Sequence, residues 1–404
     1  LNLTSTYLKK LIIDKAKELG FVQVGFSKAE VLEKESLYLR EWLDNGHAAD
    51  MNWIEKGFEK RRDIRLIMEH AKSVISLAYN YYTPFEHDES LPKISRYAWG
   101  KDYHKILKKK LKELCEYTNE TTNNPPFIPP LNQMGEERTG GFKKASPQPT
   151  ITQNEGDSRF RGNVISYVDD GPVMDKVWAV KSGIGAMGKH TNVINTSYGS
   201  WIFLCNIITN IEFDSYDSPI EDLCGSCTLC ISACPTGAII DEYKIDANLC
   251  ISYQTIENRG DIPDSINLDG WIFGCDVCQD VCPYNSPKYN HPSDDLNFYP
   301  KKELLQHNFS PPFNQRGEER SSGGFKTKDD DATPKKVKGI ATLPLAVTQH
   351  VNCTSPPFTK GGQGGFKNKE QLNSFTEEEF TVIFANSPVK RTKYKGWKRN
   401  LNKS

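Results

Sequence analysis

Cysteine spacing constrains what this chain can fold into more than any other feature. Cys224, Cys227, Cys230 and Cys234, with Pro235 behind them, are set out as C-x2-C-x2-C-x3-C-P, the register that holds a [4Fe–4S] cubane. A second group, Cys275, Cys278 and Cys282 before Pro283, lies downstream, and Cys250 stands alone between the two. Three closely spaced thiolates supply three corners of a cubane, while the fourth Cys of such a run serves a neighbouring cluster. Applied to these eight cysteines, the rule gives two sets. Cys224, Cys227, Cys230 and Cys282 would hold one cluster; Cys234, Cys250, Cys275 and Cys278 would hold the other. Structural zinc would need two tetrahedral sites and leaves the register unexplained. Disulfides are not expected in a chain that shows no signal peptide.

The chain has 404 residues, room for two or three domains, and its apolar share of 37% is low for one compact body. Basic and acidic side chains nearly balance, 51 against 52, so any nucleic-acid-binding surface has to be local. No apolar run approaches the length of a membrane span. Eleven cysteines, most of them assigned to metal, point to a reducing compartment. A cytoplasmic redox protein with no membrane partner is expected.

Read in order, residues 5–19 have helical periodicity ending at Gly20, and 21–26 alternate as a short strand. A second helix covers about 29–45. Ser73–Tyr79 and Trp201–Cys205 are apolar enough for buried strands, with Cys205 a core thiol. Lys105–Tyr117 is a helix whose Lys108, Lys109, Lys110 and Lys112 suit either a solvated face or phosphate contact. Val164–Val168 forms a strand ending at Asp169-Asp170-Gly171-Pro172, and a helix follows from about 172 to 183. Alternating helices and strands argue for an α/β sheet domain. Gly183, Gly185 and Gly188 match G-x-G-x-x-G but follow a helix rather than a strand, so a dinucleotide site is not expected; these glycines are read as letting backbone approach a large ligand. Residues 377–384 are helical. The tail from Val389 to Arg399 mixes bases with aromatics, as RNA contact or a frayed basic terminus would.

Three stretches break the pattern. Pro-Pro-Phe followed by a Gly-Gly-Phe-Lys phrase occurs near 125–143, 311–326 and 356–367, unevenly spaced and without core residues. They are read as copies of one inserted element and expected to be disordered loops. The organisation expected is therefore an α/β (α+β) domain over 1–215 with an insert at about 120–160, a ferredoxin-like two-[4Fe–4S] domain over 216–292, and a helical, basic C-terminal segment over 293–404 with inserts at about 309–335 and 353–370.

Taken together, Ser95-Arg96-Tyr97-Ala98-Trp99-Gly100-Lys101-Asp102-Tyr103-His104, Val168-Asp169-Asp170-Gly171-Pro172, Gly188-Lys189-His190, Cys250-Ile251-Ser252-Tyr253, the segment Ser387 to Arg391 and the cysteine pattern resemble the epoxyqueuosine reductases. Outside the inserts, the resemblance spans most of residues 4–400. It implies a cobalamin-binding sheet domain fused to the cluster domain, and the last step of queuosine synthesis: reduction of epoxyqueuosine at the tRNA wobble position. Partners would be that tRNA and an external low-potential electron donor, acting on a monomer. The resemblance puts the proton donor at Asp169, whose carboxyl would have to be raised by desolvation against the corrin. Asp170 is the rival, and a mere helix cap is the plain reading of Asp169. Corrinoid contacts would fall on Arg61, Ser95, Asp169, His190, Val193, Leu204, Ser252, Asp276 and Val277. Asp102-Tyr103-His104 partly imitates a D-x-H-x-x-G cobalt-ligating word, but Leu107 replaces its Gly, so His104 is expected to have a structural or tRNA role. The competing functions are a reductive dehalogenase, a ferredoxin-like carrier that binds no corrinoid, and an inactive relative spoiled by its inserts.

Overall fold

The computed structural model describes residues 5–86, 91–123, 160–161, 163–305 and 367–404. Its centre is a pair of apolar strands, Ser73–Asn80 and Ile202–Thr209, antiparallel and in register from Ser73 opposite Thr209 to Asn80 opposite Ile202. Every residue of Ser73–Asn80 is buried, which requires cover on both faces. Ile75 and Leu77 point into a core shared with Leu8, Ile12 and Ala16 of helix Ser5–Glu18 and with Leu107, Leu111 and Leu114 of helix Tyr103–Asn123. Val74 and Ala78, on the alternate face, meet cores containing Trp178 and Ala179 of helix Asp175–Lys181. The period of two thus divides one strand between two helical layers.

The full sheet has five strands in the order Gln23–Lys28, Ser73–Asn80, Ile202–Thr209, Val164–Tyr167, Phe160–Arg161. Each neighbouring pair is antiparallel. The α/β expectation therefore resolves as α+β, because the intervening helices do not make parallel crossovers. Helix Tyr103–Asn123 runs longer at both ends than expected. Its lysines find partners within the chain: Lys108 pairs with Asp170 at 2.6 Å, Lys110 donates to the Leu19 carbonyl at 2.8 Å, Lys105 donates to Asn386 at 2.7 Å, and Lys112 lies 3.8 Å from Glu116.

The glycines at 185 and 188 are needed by the chain itself. A Cβ on Gly185 would lie 2.3 Å from the Ile194 carbonyl oxygen, and one on Gly188 would lie 2.8 Å from Ile194 Cδ1. They let strands Ala186–Met187 and Val193–Ile194 close into a tight hairpin.

The cysteine-rich lobe is small. Helix Leu229–Ala233 packs on helix Val277–Asp280, and strands Ile239–Asp241 and Lys244–Ile245 form a hairpin. Strand Trp271–Phe273 runs parallel to Lys93–Ile94, tying the lobe to the sheet domain.

The C-terminal tail is neither frayed nor free. Thr376 and Glu379 form a capping box on helix Glu377–Ile383, and helix Lys393–Lys403 completes the chain. Trp397 and Leu401 are fully buried in a core with Trp99, Ile272, Phe273 and Phe384. Asn400 Nδ2 donates to the carbonyls of Thr255 and Ile272, each at 2.9 Å. Lys393 and Lys395 are exposed while Arg399 is half-buried and donates to the Asn258, Gly260 and Gln254 carbonyls, so a composition that looks like an unstructured tail belongs to an amphipathic brace. Trp397→Ala is expected to cost about 3–5 kcal/mol of stability, read as a lowered denaturation midpoint; an unchanged midpoint would contradict this packing.

The three stretches read as copies of one inserted element lie for the most part outside the described residues; at their margins, the helix reaches Asn123 and Asn368 caps helix Lys369–Asn373. Among the described residues no helix is long and apolar enough to cross a membrane.

Candidate redox site

Strand Val164–Tyr167 ends in a turn whose two acids behave differently. Asp170 is occupied structurally: it accepts the Val168 amide at 3.0 Å and pairs with Lys108. Asp169 is exposed, sits in the left-handed region at φ +51°, and accepts the Tyr103 hydroxyl at 2.8 Å. The following helix begins at Asp175 with no side-chain cap, so Asp169 is not a helix cap. Tyr103 lies stacked on Phe203, ring centroids 4.3 Å apart, which fixes its hydroxyl. Burial first, and then the Asp169 charge, lift both Tyr97 and Tyr103 well above the ordinary phenol range. Burial works against the Arg391 charge, but Glu257, Asp169 and Tyr97 outweigh it and hold the guanidinium above its usual value. Arg391 is 2.6 Å from Glu257.

Lys176 links this turn to the cysteines. Its Nζ donates to the Thr191 carbonyl at 2.8 Å and to Asn192 Oδ1 at 2.9 Å. Solvent reaches it, yet burial is the leading cause that pulls its ammonium below the ordinary value, against the charges of Asp169, Cys278, Cys250 and Asp175. Lys176 thus stands in a wall that is open to solvent on one side and packed by protein on the other. Asp175 is in the same position: burial, then the Asp169 charge, push it up to about 7, although Asn206 Nδ2 donates to it at 2.7 Å. Asn206 is held in turn by the Ser76 hydroxyl at 2.7 Å. Arg61 completes the wall; burial lowers its guanidinium and Asp175 opposes that. Beside it opens a recess of about 590 Å³ bordered by Trp53, Lys56, Lys60, Leu66 and Pro172.

The Asp175 shift fixes a sign for stability. A carboxyl raised from about 4 in the unfolded chain penalises folding once ionised. Its penalty is absent at low pH, grows as pH rises to about 7, and is constant above that. In cofactor-free protein, Asp175→Asn should therefore raise the melting temperature at pH 8 and leave it nearly unchanged at pH 4. An equal difference at both pH values would rule this out.

Other expected site residues are placed as follows. His190 Nδ1 accepts the Asn192 amide at 3.1 Å, leaving the proton on Nε2, which is buried without a partner among the described residues. Burial and then Lys176 push this imidazole down to about 4, so it is a neutral donor. Val193 and Leu204 meet in one apolar cluster with Ala78 and Ile202. Ser95 and Asp276 meet each other: the Ser95 hydroxyl donates to one Asp276 oxygen at 2.5 Å and the Arg96 amide to the other at 2.7 Å. Their buried side chains are thereby occupied, which leaves backbone as the route by which they would touch a ligand. Gly274 permits this approach, since a Cβ there would stand 2.4 Å from Ser95 Cβ. Ser252 and Val277 are half-buried beside Cys250 and Cys278. His104 Nδ1 lies 2.8 Å from Asp102 Oδ1.

The cysteines influence one another across the lobe. Burial raises Cys282 to about 11, and Cys224, Cys230 and Cys227 push it the same way. Burial likewise raises Cys278, with Cys250, Asp276, Cys234 and Cys230 adding to it, and raises Cys275, with Cys278 and Cys250 adding. Among the described residues no three His, Cys, Asp or Glu side chains converge as ligands of one metal ion would; a cubane instead spreads its four thiolates over separate irons. Cys224 Sγ accepts the Lys189 amide at 3.5 Å and Cys234 Sγ the Ala238 amide at 3.2 Å.

Sequence reasoning missed Asp175 and Lys176. Their only signal was two adjacent charges opening a helix that otherwise carries Val177, Trp178 and Ala179.

An antiparallel sheet with a recess at one strand end and a cysteine lobe beside it defines an iron–sulfur oxidoreductase. Residues 223–285 match the 4Fe-4S double cluster binding domain, and residues 61–127 match the family described as Epoxyqueuosine reductase QueG, DUF1730. An epoxyqueuosine reductase of Cellulophaga algicola is 34% identical over 394 residues, 97% of this chain and 96% of that protein. The chain belongs to the epoxyqueuosine reductase family. Two solved epoxyqueuosine reductases share the fold. One, in complex with an epoxyqueuosine-modified tRNA-Tyr stem loop, has a TM-score of 0.67 at 24% identity, covering 98% of this chain and 80% of that one. The other, from Bacillus subtilis with its aspartate-bearing catalytic loop swung out of the active site, has a TM-score of 0.65 at 23% identity, covering 98% and 81%.

Proposed function

We propose that this chain reduces epoxyqueuosine in tRNA to queuosine, with two [4Fe–4S] clusters feeding a cobalamin and Asp169 donating the proton to the departing oxygen. Converting an epoxide to an alkene and water takes two electrons and two protons. Side chains supply the protons, and electrons at low potential have to come from cofactors. Clusters bound by the two cysteine sets would supply them singly, and a bound corrinoid would supply a reduced metal centre able to open the strained ring. The recess beside Arg61 and the partnerless His190 Nε2 suit a large ligand rich in hydrogen-bond acceptors. Arg61, His190, Val193, Leu204, Ser252 and Val277 would hold it, with Ser95 and Asp276 contributing backbone.

The observation that carries this reading is the exposed Asp169 at the strand end, its carboxyl held by the Tyr103 hydroxyl at 2.8 Å, with Lys176 feeling its charge together with those of Cys250 and Cys278. Tyr103 orients the Asp169 carboxyl through one oxygen, leaving Asp169 at the exposed edge of the turn where a nucleoside can approach. The cysteine partition is supported by Cys282, on which Cys224, Cys230 and Cys227 act; Cys278 feels Cys250 and Cys234 of its own set and also Cys230 of the other. Family membership favours this substrate over a halocarbon, and the recess favours an enzyme over a simple electron carrier.

The test is anaerobic reconstitution of the full chain with iron, sulfide and cobalamin, then assay on tRNA carrying epoxyqueuosine with dithionite as reductant. Queuosine formation dependent on cobalamin is expected. Both clusters present with no cobalamin uptake would reject the reading.

A further inference from the structure

The 23 residues from Glu221 to Tyr243 contain four acids, Glu221, Asp222, Asp241 and Glu242, and no Lys, Arg or His. In a chain whose charges nearly balance, that is a local excess of one sign. The structure joins its two ends into one face. Tyr243 donates its hydroxyl to Asp222 Oδ1 at 2.9 Å, and Asp222 accepts the amides of Cys224 and Gly225 at 3.0 and 2.9 Å. Beneath, Lys189 is only 2% exposed and bridges the Gly225 carbonyl at 2.7 Å and Glu242 at 2.6 Å. The cation that neutralises one acid is therefore hidden, while the acids are exposed. Lys244, just past the stretch, is paired with Glu41 at 2.8 Å.

The same face brings two cysteines of one set towards solvent. Gly225, Ser226, Thr228 and Leu229 are exposed, and Cys224 and Cys227 between them are half-buried. Leu229 and Tyr243, large apolar side chains, are 45% and 41% exposed. Cys250 and Cys278 instead neighbour Lys176 at the recess. We propose that the Glu221–Leu229 loop with Tyr243 is the port at which an electron-donor protein docks, and that this donor carries its redox group within a rim of Lys and Arg. The inference rests on the electron path proposed above. Leu229 and Tyr243 give a small apolar centre suited to a transient redox encounter, and the acids steer the partner by charge.

Cytochrome c, whose exposed haem edge is rimmed with lysines, is the probe. The full chain holding both clusters is reduced chemically, freed of excess reductant, and mixed with ferric cytochrome c; each electron leaving a cluster reduces one haem iron. The haem-reduction rate is expected to fall steeply with ionic strength, and Glu221→Lys with Asp241→Lys should lower it about tenfold at low salt. Ferricyanide, a small anionic acceptor, should be reduced faster by that variant than by the parent. Calorimetric titration of the oxidised proteins should show binding that weakens in the variant, without any electron transfer. Cytochrome c rates that ignore both salt and the substitutions would overturn the port, as would equal slowing with both acceptors. Dithionite-driven conversion of epoxyqueuosine tRNA keeps the two readings apart. Its absence in the parent rejects the proposed electron path, whereas normal conversion with an indifferent cytochrome c rejects the docking face alone.

Discussion

Replacing Asp169 by asparagine is expected to leave both clusters and the corrinoid bound while lowering conversion of epoxyqueuosine tRNA by about 10²–10⁴-fold, the usual loss when a positioned general acid is removed. Asparagine keeps the shape and still accepts the Tyr103 hydroxyl that reaches Asp169 at 2.8 Å. It is also at home in the left-handed backbone region that this residue occupies at φ +51°. What it lacks is a proton to give. Single-turnover conversion, compared at equal cofactor absorbance, makes the measurement, and undiminished conversion would remove Asp169 from the chemistry. Asp170→Asn serves as the contrast: it loosens the Lys108 pair and the Val168 contact, so its effect should be far smaller.

The second large effect concerns Cys250. Serine there should cost one cluster of two, with iron content falling to about half if the partition holds, and conversion should be lost with it. Cys250 neighbours both Cys234 and Lys176, so the set it belongs to is the one adjoining the recess. Cys205→Ser is the control, since Cys205 is wholly buried in the sheet core and its loss should leave iron unchanged. Full iron retention in Cys250→Ser would refute the assignment of this cysteine.

What could be read beforehand follows the range of the forces involved. The cysteine register is local, and its chemistry admits few alternatives. Ser73–Asn80 and the first half of Ile202–Thr209 announced themselves because a strand covered on both faces is largely apolar, while the second half, with Asn206 and Thr209, was not read. Their antiparallel pairing did not, since helices between strands are compatible with either direction until packing decides. Asp175 and Lys176 owe their importance to neighbours distant in the chain, Asn206 and Cys278 among them, and nothing adjacent in the sequence marks them. The tail misled for the opposite reason. Lys393, Lys395, Lys398 and Arg399 dominate its composition, whereas two residues four apart, Trp397 and Leu401, decide its fate by entering the core.

Asp276 sits between Cys275 and Cys278, and both its oxygens are clasped by Ser95 and Arg96 of the sheet domain, while the Ser95 amide donates to the Phe273 carbonyl at 2.7 Å. The loop bearing those cysteines is thereby bolted to the wall it faces. Tunnelling slows steeply with every added ångström, so a fixed gap removes hinge motion as a variable. On the proposed path, the tempo of this protein would then be set by how often reductant arrives at its surface, not by any breathing between its halves.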